Sequence, residues 1–238
     1  MLKNDKLDRR GKRYDQRTDA GFSRFTTLRT VSRHNVNYFR LCLLNINHQK
    51  NRYFALLAIS LVCLGLQWPP LAALSAWNRP AIEAGQWWRI LTGNFTHTNF
   101  THLGMNLAGL WIIHFVFQPS SKKWLISLLA TSLMVGVSLF LSRMQVYVGL
   151  SGALHGMFAY LALQEALQGR RSSWLLVVGV IVKVVWEQIF GASSNTSELI
   201  NARVAIEAHL AGMLAGLILA IGEWLRYKKN GEVTYFSA

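Results

Sequence analysis

Six long apolar runs constrain the fold of this chain more than any other feature of its sequence. They lie at about residues 53–68, 101–118, 124–142, 150–167, 173–190 and 203–225. Each is close to the roughly 20 residues that an α-helix needs to cross the hydrocarbon core of a bilayer. In addition, 52% of the residues are hydrophobic and only 15% are charged, which is unusual for a soluble domain. The sequence therefore predicts an all-α membrane protein, a bundle of six transmembrane helices.

The distribution of basic residues predicts the orientation of these spans. Thirteen of the 25 lysines and arginines precede the first apolar run, and the loops on the same side of the bilayer carry the basic pairs 122–123 and 170–171. The opposite side carries only four arginines, at positions 79, 89, 143 and 203. The positive-inside rule then places both termini in the cytoplasm. We interpret the net charge of +14 as attraction to anionic lipid of the bilayer, with no nucleic-acid partner.

The chain divides into three segments on this basis. Residues 1–51 are predicted to be a basic, flexible cytoplasmic extension, residues 52–229 the six-span domain, and residues 230–238 a short cytoplasmic tail. The first apolar run lies too far from the N-terminus for a signal peptide, so we expect it to be retained. Cys42 and Cys63, one in the extension and one in a span, indicate no disulfide scaffold.

Polar side chains gather near the start of three spans that run in the same direction. The second, fourth and sixth spans carry, at a similar shallow depth, His97, His102, Asn106, Ser151, Glu207 and His209. Any one of these could simply be a hydrogen-bonding contact between helices. Since polar groups are costly in lipid, their convergence in one layer favours a functional site.

Two G-x-x-x-G pairs predict which of these helices pack together. One begins at Gly152 in the fourth span and the other at Gly212 in the sixth. His209 precedes the second pair by three residues and shares its face. If the two glycine faces meet, His209 lies against Ser151, and an imidazole can remove the proton that a serine must lose to become a nucleophile. Such pairs are also common as plain packing faces in membrane helices.

A second group of residues could stabilise the oxyanion of an acyl-transfer reaction. His102 and Asn106 are four residues apart and project from the same side of the second helix. The backbone N–H of Ser151 lies at a helix N-terminus, where donors are free. His102 could instead be a capping or snorkelling residue at the membrane interface.

In their order and their positions on three spans, these motifs resemble the rhomboid family of intramembrane serine proteases. The stretches are HTNFTHLGMN, GLSG and AHLAG, and the upstream QWWRILT is similar to the Trp-Arg loop of that family. The resemblance covers about residues 53–225 and implies a six-helix rhomboid-like bundle. It implies that Ser151 is the nucleophile and His209 the general base, while His102 and Asn106 help to hold the oxyanion. Supporting roles are implied for His97, Trp88, Arg89, Gly149, Gly152 and Gly212. Gln86 stands where many members have an acidic residue.

His155 departs from the common rhomboid pattern, because many members carry there a tyrosine that stacks on the catalytic histidine. Together with GQWWR and the compact six-span body, this resembles the rhombosortase branch of the family. That branch is associated with removal of C-terminal Gly-Gly-type sorting helices from exported proteins. The resemblance implies single-span membrane substrates, a bacterial inner-membrane location and an active site open to the periplasmic side.

Either His209 or His155 could serve Ser151. A base on the same helix as the serine would compete for the space that the substrate carbonyl must enter, although the side chain of His155 leans back toward Ser151. We expect His209 to be the base and His155 to support it as a stacking partner. Glu207 is two residues from His209, on another face of the helix, and is a poor third member of a triad.

The scheme requires no carboxylate, metal or cofactor, and two other classes of protein stay open. The first is a rhomboid-like protein that binds membrane helices without catalysis, although such relatives typically lack the serine or the histidine. The second is a haem or metal protein, because five histidines lie in or near spans. The sequence contains neither H-E-x-x-H nor a paired-cysteine motif, which disfavours the second class.

Overall fold

A computed structural model describes residues 53–231, so the predicted extension and most of the predicted tail lie outside the described residues. The helices in this range are α1 Tyr53–Gly65, α2 Pro69–Ser75, α3 Arg79–Glu83, α4 Arg89–Thr92, α5 Phe100–Phe117, α6 Ser121–Ser138, α7 Ser151–Leu167, α8 Ser173–Phe190, α9 Ser194–Ile200 and α10 Ile206–Lys229. Two short strands, β1 Trp77–Asn78 and β2 Val146–Tyr147, pair antiparallel. The predicted all-helical fold class is confirmed.

The six predicted spans correspond to α1, α5, α6, α7, α8 and α10. Within residues 53–231, four helices (α5, α6, α8 and α10) are long and apolar enough to cross a membrane. The pair α1 and α2, bent by 104°, would add a fifth crossing if it is one broken span. The remaining helix, α7, has 17 residues and a length of about 26 Å, which is close to the thickness of the hydrocarbon core.

Helix α7 lies at the centre of the bundle. It packs against α5, α6, α8 and α10, and most of its side chains are buried. Fully buried residues of the neighbouring helices, such as Leu110 and Leu128, belong to the same apolar core as Met157 of α7. Because other helices surround it, α7 needs no broad lipid-facing stripe, and small residues let its neighbours approach closely.

The ends of the helices follow local signals in the sequence. Asn99 caps α5, because its side-chain oxygen accepts the backbone N–H of His102 at 2.7 Å. Pro69 occupies the first turn of α2, where its missing N–H costs nothing, and the chain turns sharply after Gly65. The first predicted span therefore ends three residues early. The sixth helix continues beyond the predicted residue 225 to Lys229, and basic residues in its last turn complement the helix dipole.

The two strands fix the segment that precedes α7. Trp77 lies opposite Tyr147, and Asn78 lies opposite Val146. A further backbone hydrogen bond joins the N–H of Gly149 to the carbonyl of Gly93 at 3.1 Å. The loop region between α2 and α5 is thereby attached to the residues immediately before Ser151, so the start of α7 is held by chain far away in sequence.

Candidate active site

Ser151 and His209 come into direct contact at the junction of α7 and α10. Ser151 is the first residue of α7, and His209 lies in the first turns of α10. The Nε2 atom of His209 lies 2.9 Å from the Oγ atom of Ser151. His209 is buried, with 4% of its surface exposed. The structure therefore brings together the serine and the histidine that the sequence singles out.

The glycine faces of α7 and α10 meet, as the two G-x-x-x-G pairs predict. A Cβ atom at Gly212 would overlap the carbonyl oxygen of Gly152. A Cβ atom at Gly156 would lie 2.7 Å from the carbonyl oxygen of Gly212. Real Cβ atoms do not approach backbone oxygens so closely, so both positions require glycine. This close backbone contact sets the distance between Ser151 and His209.

His155 lies beside both members of this pair. Its ring stacks on the ring of His209, with 4.1 Å between centroids and 21° between planes. Its Nδ1 atom lies 2.7 Å from the backbone oxygen of Ser151, one turn earlier in α7. Because a carbonyl oxygen can only accept, Nδ1 of His155 carries a proton and donates it to this bond.

Glu187 contacts His209 from α8. Its Oε2 atom lies 2.8 Å from Nδ1 of His209, and its Oε1 atom lies 2.8 Å from Nζ of Lys183. A carboxylate only accepts, so the neutral imidazole donates its Nδ1–H to Glu187 and turns the lone pair of Nε2 toward Ser151. The sequence predicts no carboxylate at this site, and Glu187 is a site residue that the sequence reasoning above does not identify. The available signal was a lysine and a glutamate four residues apart in an otherwise apolar span.

His102 and Asn106 form the opposite wall, on α5. A Cβ atom at Gly149 would lie 2.7 Å from Nε2 of His102 and 3.8 Å from Nδ2 of Asn106. Both nitrogens thus lie close to the backbone that precedes Ser151. Gly149 has φ of +122°, a conformation that favours glycine. The N–H of Thr98 lies 3.4 Å from Nδ1 of His102, and its donation there leaves the proton of His102 on Nε2.

His97 supports His102 from the loop before α5. Its buried ring meets the ring of His102 edge-on, with 5.0 Å between centroids and 85° between planes. Burial, together with a smaller effect of any positive charge on His102, lowers the pKa of His97 to about 3. His97 is therefore neutral at physiological pH and packs against His102 as an uncharged ring.

Tyr147 holds the turn that leads into α7. Its hydroxyl donates to the carbonyl oxygen of Gly149 at 2.5 Å. Burial raises the pKa of this phenol above its ordinary value, so the hydroxyl keeps its proton and its role as a donor. The hydrogen bond fixes the backbone two residues before Ser151.

Trp88 and Arg89 lie in the loop region between α2 and α5, away from Ser151. Arg89 donates to the side chain of Gln86 at 2.7 Å and to the carbonyls of Ala73 and Ala76 at 2.7 and 2.8 Å. The indole of Trp88 donates to the Leu74 carbonyl. The amide oxygen of Gln86 thus accepts a hydrogen bond from Arg89, although this position lacks the carboxylate that many relatives carry. These two residues order the loop and do not reach the reacting atoms.

A cavity of about 1780 Å³ opens onto the site between α5, α7, α8, α9 and α10. The polar residues of the site line it together: His102, Asn106, Ser151, His155, Glu187 and His209. Apolar side chains form much of the remaining wall, among them Ile112, Leu175 and Leu214. The space is large enough for a peptide segment with bulky side chains.

Three residues of the site could also hold a metal ion. Ligand atoms of His155, Glu187 and His209 all lie within 4.8 Å of one another. In the present arrangement, Nδ1 of His209 is bonded to Glu187, and Nδ1 of His155 is bonded to the Ser151 carbonyl. A metal ion bound through His209 Nδ1 would have to replace the first of these bonds.

The helical bundle with its long apolar helices is that of a multi-pass membrane protein. Residues 84–226 match the rhomboid domain, which is more than half of the chain, and the protein belongs to the rhomboid family. It is similar to the rhomboid protease GluP of Bacillus subtilis (strain 168), with 27% identity over 63% of this chain and 29% of that protein. It is also similar to the chloroplastic rhomboid-like protein 11 of Arabidopsis thaliana, with 30% identity over 60% of this chain and 53% of that protein.

A third relative is the rhomboid protease GlpG of Serratia proteamaculans (strain 568). It is 21% identical over 66% of this chain and 55% of that protein. The chain thus spans about a third to about a half of the length of these three relatives.

Proposed function

We propose that this protein is an intramembrane serine endopeptidase in which Ser151 is the nucleophile and His209 the general base. The observation that carries the proposal is the 2.9 Å contact between Ser151 Oγ and His209 Nε2 inside the cavity. A serine hydroxyl is a weak nucleophile until a neighbouring base accepts its proton. Membership of the rhomboid family, in which two of the relatives above are named as proteases, supports the same reaction.

The reaction follows from the positions of these two side chains. His209 Nε2 accepts the Ser151 proton while Oγ forms a bond to the carbonyl carbon of the substrate peptide. The imidazolium then donates this proton to the leaving amide nitrogen as the C–N bond breaks. Attack of water on the resulting ester, again with His209 as base, releases the second product and restores the serine.

Three donors are suited to stabilise the oxyanion of this reaction. We assign this role to Nε2–H of His102, to the side-chain amide of Asn106 and to the backbone N–H of Ser151. The N-cap residue of α7, Leu150, makes no side-chain hydrogen bond to the first turn, where the backbone N–H groups lack intrahelical partners. Fixed donors that meet a developing negative charge contribute strongly to catalysis.

The remaining site residues act on the position of the pair. His155 supports His209 by stacking and binds the Ser151 carbonyl, while His97 supports His102. Gly152 and Gly212 permit the close approach of α7 and α10, and Gly149 permits the turn before Ser151. Trp88 and Arg89 order the loop region that precedes α5.

The substrates we propose are single-span membrane proteins with a C-terminal Gly-Gly-type sorting helix. This proposal rests on the resemblance of His155 and GQWWR to the rhombosortase branch. The apolar walls and the volume of the cavity are compatible with a hydrophobic helix end unwound for cleavage. Exposed leucine, valine, isoleucine and tryptophan side chains on the outside of the bundle are suited to the lipid in which such a substrate would arrive.

We further propose a bacterial inner-membrane location, with both termini cytoplasmic and the site open to the periplasm. The excess of lysine and arginine on the side of the termini supports this orientation. In this proposed arrangement residues 52–229 are the protease domain, residues 1–51 a basic extension, and residues 230–238 a short tail. Protease accessibility of tags placed at either terminus of the full chain in intact spheroplasts tests the orientation.

Labelling with a fluorophosphonate probe tests the activity, because such probes react only with an activated serine. We expect the purified full chain to be labelled and Ser151→Ala to remain folded but unlabelled. Ser60→Ala is a matched control, since the Ser60 hydroxyl bonds to a carbonyl of its own helix, α1. If the wild-type chain is not labelled, the protease proposal is wrong. A Soret band in its absorption spectrum would favour the haem alternative instead.

A further inference from the structure

Glu187 of α8 completes a line of three hydrogen-bonded groups that ends at the serine. Its Oε2 lies 2.8 Å from His209 Nδ1, and the opposite ring nitrogen lies 2.9 Å from Ser151 Oγ. This is the order of groups in an acid–histidine–serine triad, where the acid fixes the tautomer of the histidine and stabilises its charged form. We propose that Glu187 is a positioning residue for His209, so that Ser151, His209 and Glu187 work as a triad. This proposal rests on the function proposed above.

The carboxylate of Glu187 has one role before Ser151 reacts and a second role afterwards. In the resting state Glu187 accepts Nδ1–H, which leaves the lone pair of Nε2 free for the serine proton. When Ser151 Oγ bonds to the substrate carbonyl, that proton moves to Nε2 and His209 becomes positively charged. Glu187 stabilises this charge but does not take the proton, which goes on to the leaving amide nitrogen.

Lys183 holds the second oxygen of the same carboxylate. It lies one turn earlier on α8, with its Nζ atom 2.8 Å from Oε1 of Glu187. The lysine side chain is 50% exposed, whereas that of Glu187 is only 13% exposed. Each oxygen of Glu187 therefore has one partner, and the lysine orients the carboxylate from the accessible side without contacting His209.

A second ion pair in the protein shows what an ordinary i,i+4 contact looks like here. Arg203 and Glu207 also lie four residues apart, and their side chains are 69% and 36% exposed. Ion pairs of this kind at a helix surface contribute little to the stability of the folded protein. The pair on α8 differs, because the side chain of its acid is only 13% exposed and the second oxygen of this carboxylate is bonded to the histidine that contacts Ser151. Helix stabilisation alone does not require that second bond.

Polar groups on three neighbouring helices surround His209. Glu187 and, behind it, Lys183 face it from α8, His155 stacks on it from α7, and His102 faces it across the cavity from α5. Glu187 is the only carboxylate bonded to His209 among residues 53–231. Replacing it with a neutral amide therefore removes the one negative charge bonded to His209 and leaves the other three groups unchanged.

The experiment compares Glu187→Gln and Glu187→Asp with wild type in the purified full chain. The readouts are the second-order rate constant of fluorophosphonate labelling and the melting temperature. The matched control is Glu165→Gln, because Glu165 also bonds to a basic side chain, Arg170, and to a hydroxyl, that of Ser173. It lies on α7, roughly 21 Å along the helix from Ser151.

We expect Glu187→Gln to lower the labelling rate by about 10²-fold or more, as loss of the acid does in serine-protease triads. Glu187→Asp should recover part of the rate, because it restores a carboxylate at this position. Glu165→Gln should match wild type in both the labelling rate and the melting temperature.

Three results would overturn the proposal. One is an unchanged rate for Glu187→Gln. Another is a rate loss that follows a lower melting temperature and is not recovered in Glu187→Asp, which would indicate a purely structural role. The third is loss of wild-type labelling on treatment with EDTA, which would indicate that the carboxylate binds a metal. An unlabelled wild-type chain would overturn the protease function as well, whereas a labelled wild type with an equally labelled Glu187→Gln would leave that function intact.

Discussion

Replacement of Gly212 by alanine should separate the two helices that carry the proposed nucleophile and base. The new Cβ atom would overlap the carbonyl oxygen of Gly152 and lie 3.3 Å from the amide nitrogen of Gly156. Both groups are backbone and cannot rotate away, so α10 must move by roughly 1 Å to reach ordinary contact distances. Such a shift takes the 2.9 Å contact between Ser151 and His209 out of hydrogen-bond range.

The change in the free energy of unfolding caused by Gly212→Ala can be estimated from two opposing contributions. Alanine is favoured over glycine in a helix by about 1 kcal/mol. Overpacking costs about 1–3 kcal/mol, and a clash with rigid backbone lies near the upper end of that range. We therefore expect the free energy of unfolding to fall by up to about 2 kcal/mol. The loss of activity should be larger, about 10²-fold, because a misplacement of about 1 Å disrupts the reacting geometry.

Gly222→Ala provides the control for this prediction. Gly222 lies in the same helix, and no atom of the described residues would come within 4 Å of its Cβ. This variant should keep the wild-type rate and melt at the same or a slightly higher temperature, since it gains helix propensity without a clash. The assay is the rate of fluorophosphonate labelling in detergent, combined with thermal unfolding. Wild-type labelling by Gly212→Ala would refute the idea that the glycine interface sets the distance between serine and histidine.

Three further predictions follow from the geometry of the site. His102→Ala and Asn106→Ala should each lower the cleavage rate by about 10²-fold or more without abolishing labelling, because each removes one proposed oxyanion donor; unchanged kinetics in both would mean that α5 only supports the fold. His209→Ala should lose labelling, while His155→Tyr should retain much of it, because an aromatic ring can still stack on His209; the inverse pattern would make His155 the base. The pKa of His97 falls from an ordinary 6.5 to about 3 on folding, so its contribution to stability is complete above pH 6.5 and is lost as the pH falls toward 3. Thermal unfolding between these values should therefore depend less on pH in His97→Gln than in wild type, and equal slopes would argue against the buried neutral imidazole.

The contact between α7 and α10 could be predicted because the sequence encodes it directly. Two glycines spaced four apart mark a helix face that another backbone can approach, and His209 lies on that face by helical periodicity. The same periodicity places His102 and Asn106 on one side of α5. In each case the information is local to one helix, and the two glycine pairs then identify the partner.

Glu187 could not be placed by the same reasoning. Periodicity gives the direction of a side chain within α8, but the sequence carries no feature that tells which helix this face meets. The pairing of Lys183 with Glu187 also has a local explanation as an i,i+4 ion pair. Only the packing of α8 against α10 shows that the second oxygen of the carboxylate reaches His209. The strand pairing of Trp77–Asn78 with Val146–Tyr147 was missed for a related reason, since two-residue strands leave no alternating pattern to detect.

The arrangement of helices separates the reacting pair from the groups that support it. Ser151 and His209 lie on α7 and α10, whose backbones are in direct contact. At this contact there is no side chain that could move aside and let the helices shift. His102 and Glu187 come instead from α5 and α8, which flank the cavity on either side of α7. A substrate that displaces either wall would leave the distance between serine and histidine unchanged, but it would alter an oxyanion donor or the partner of His209. In the proposed reaction, a bound peptide therefore influences the rate through α5 and α8, while the proposed nucleophile and base stay in place.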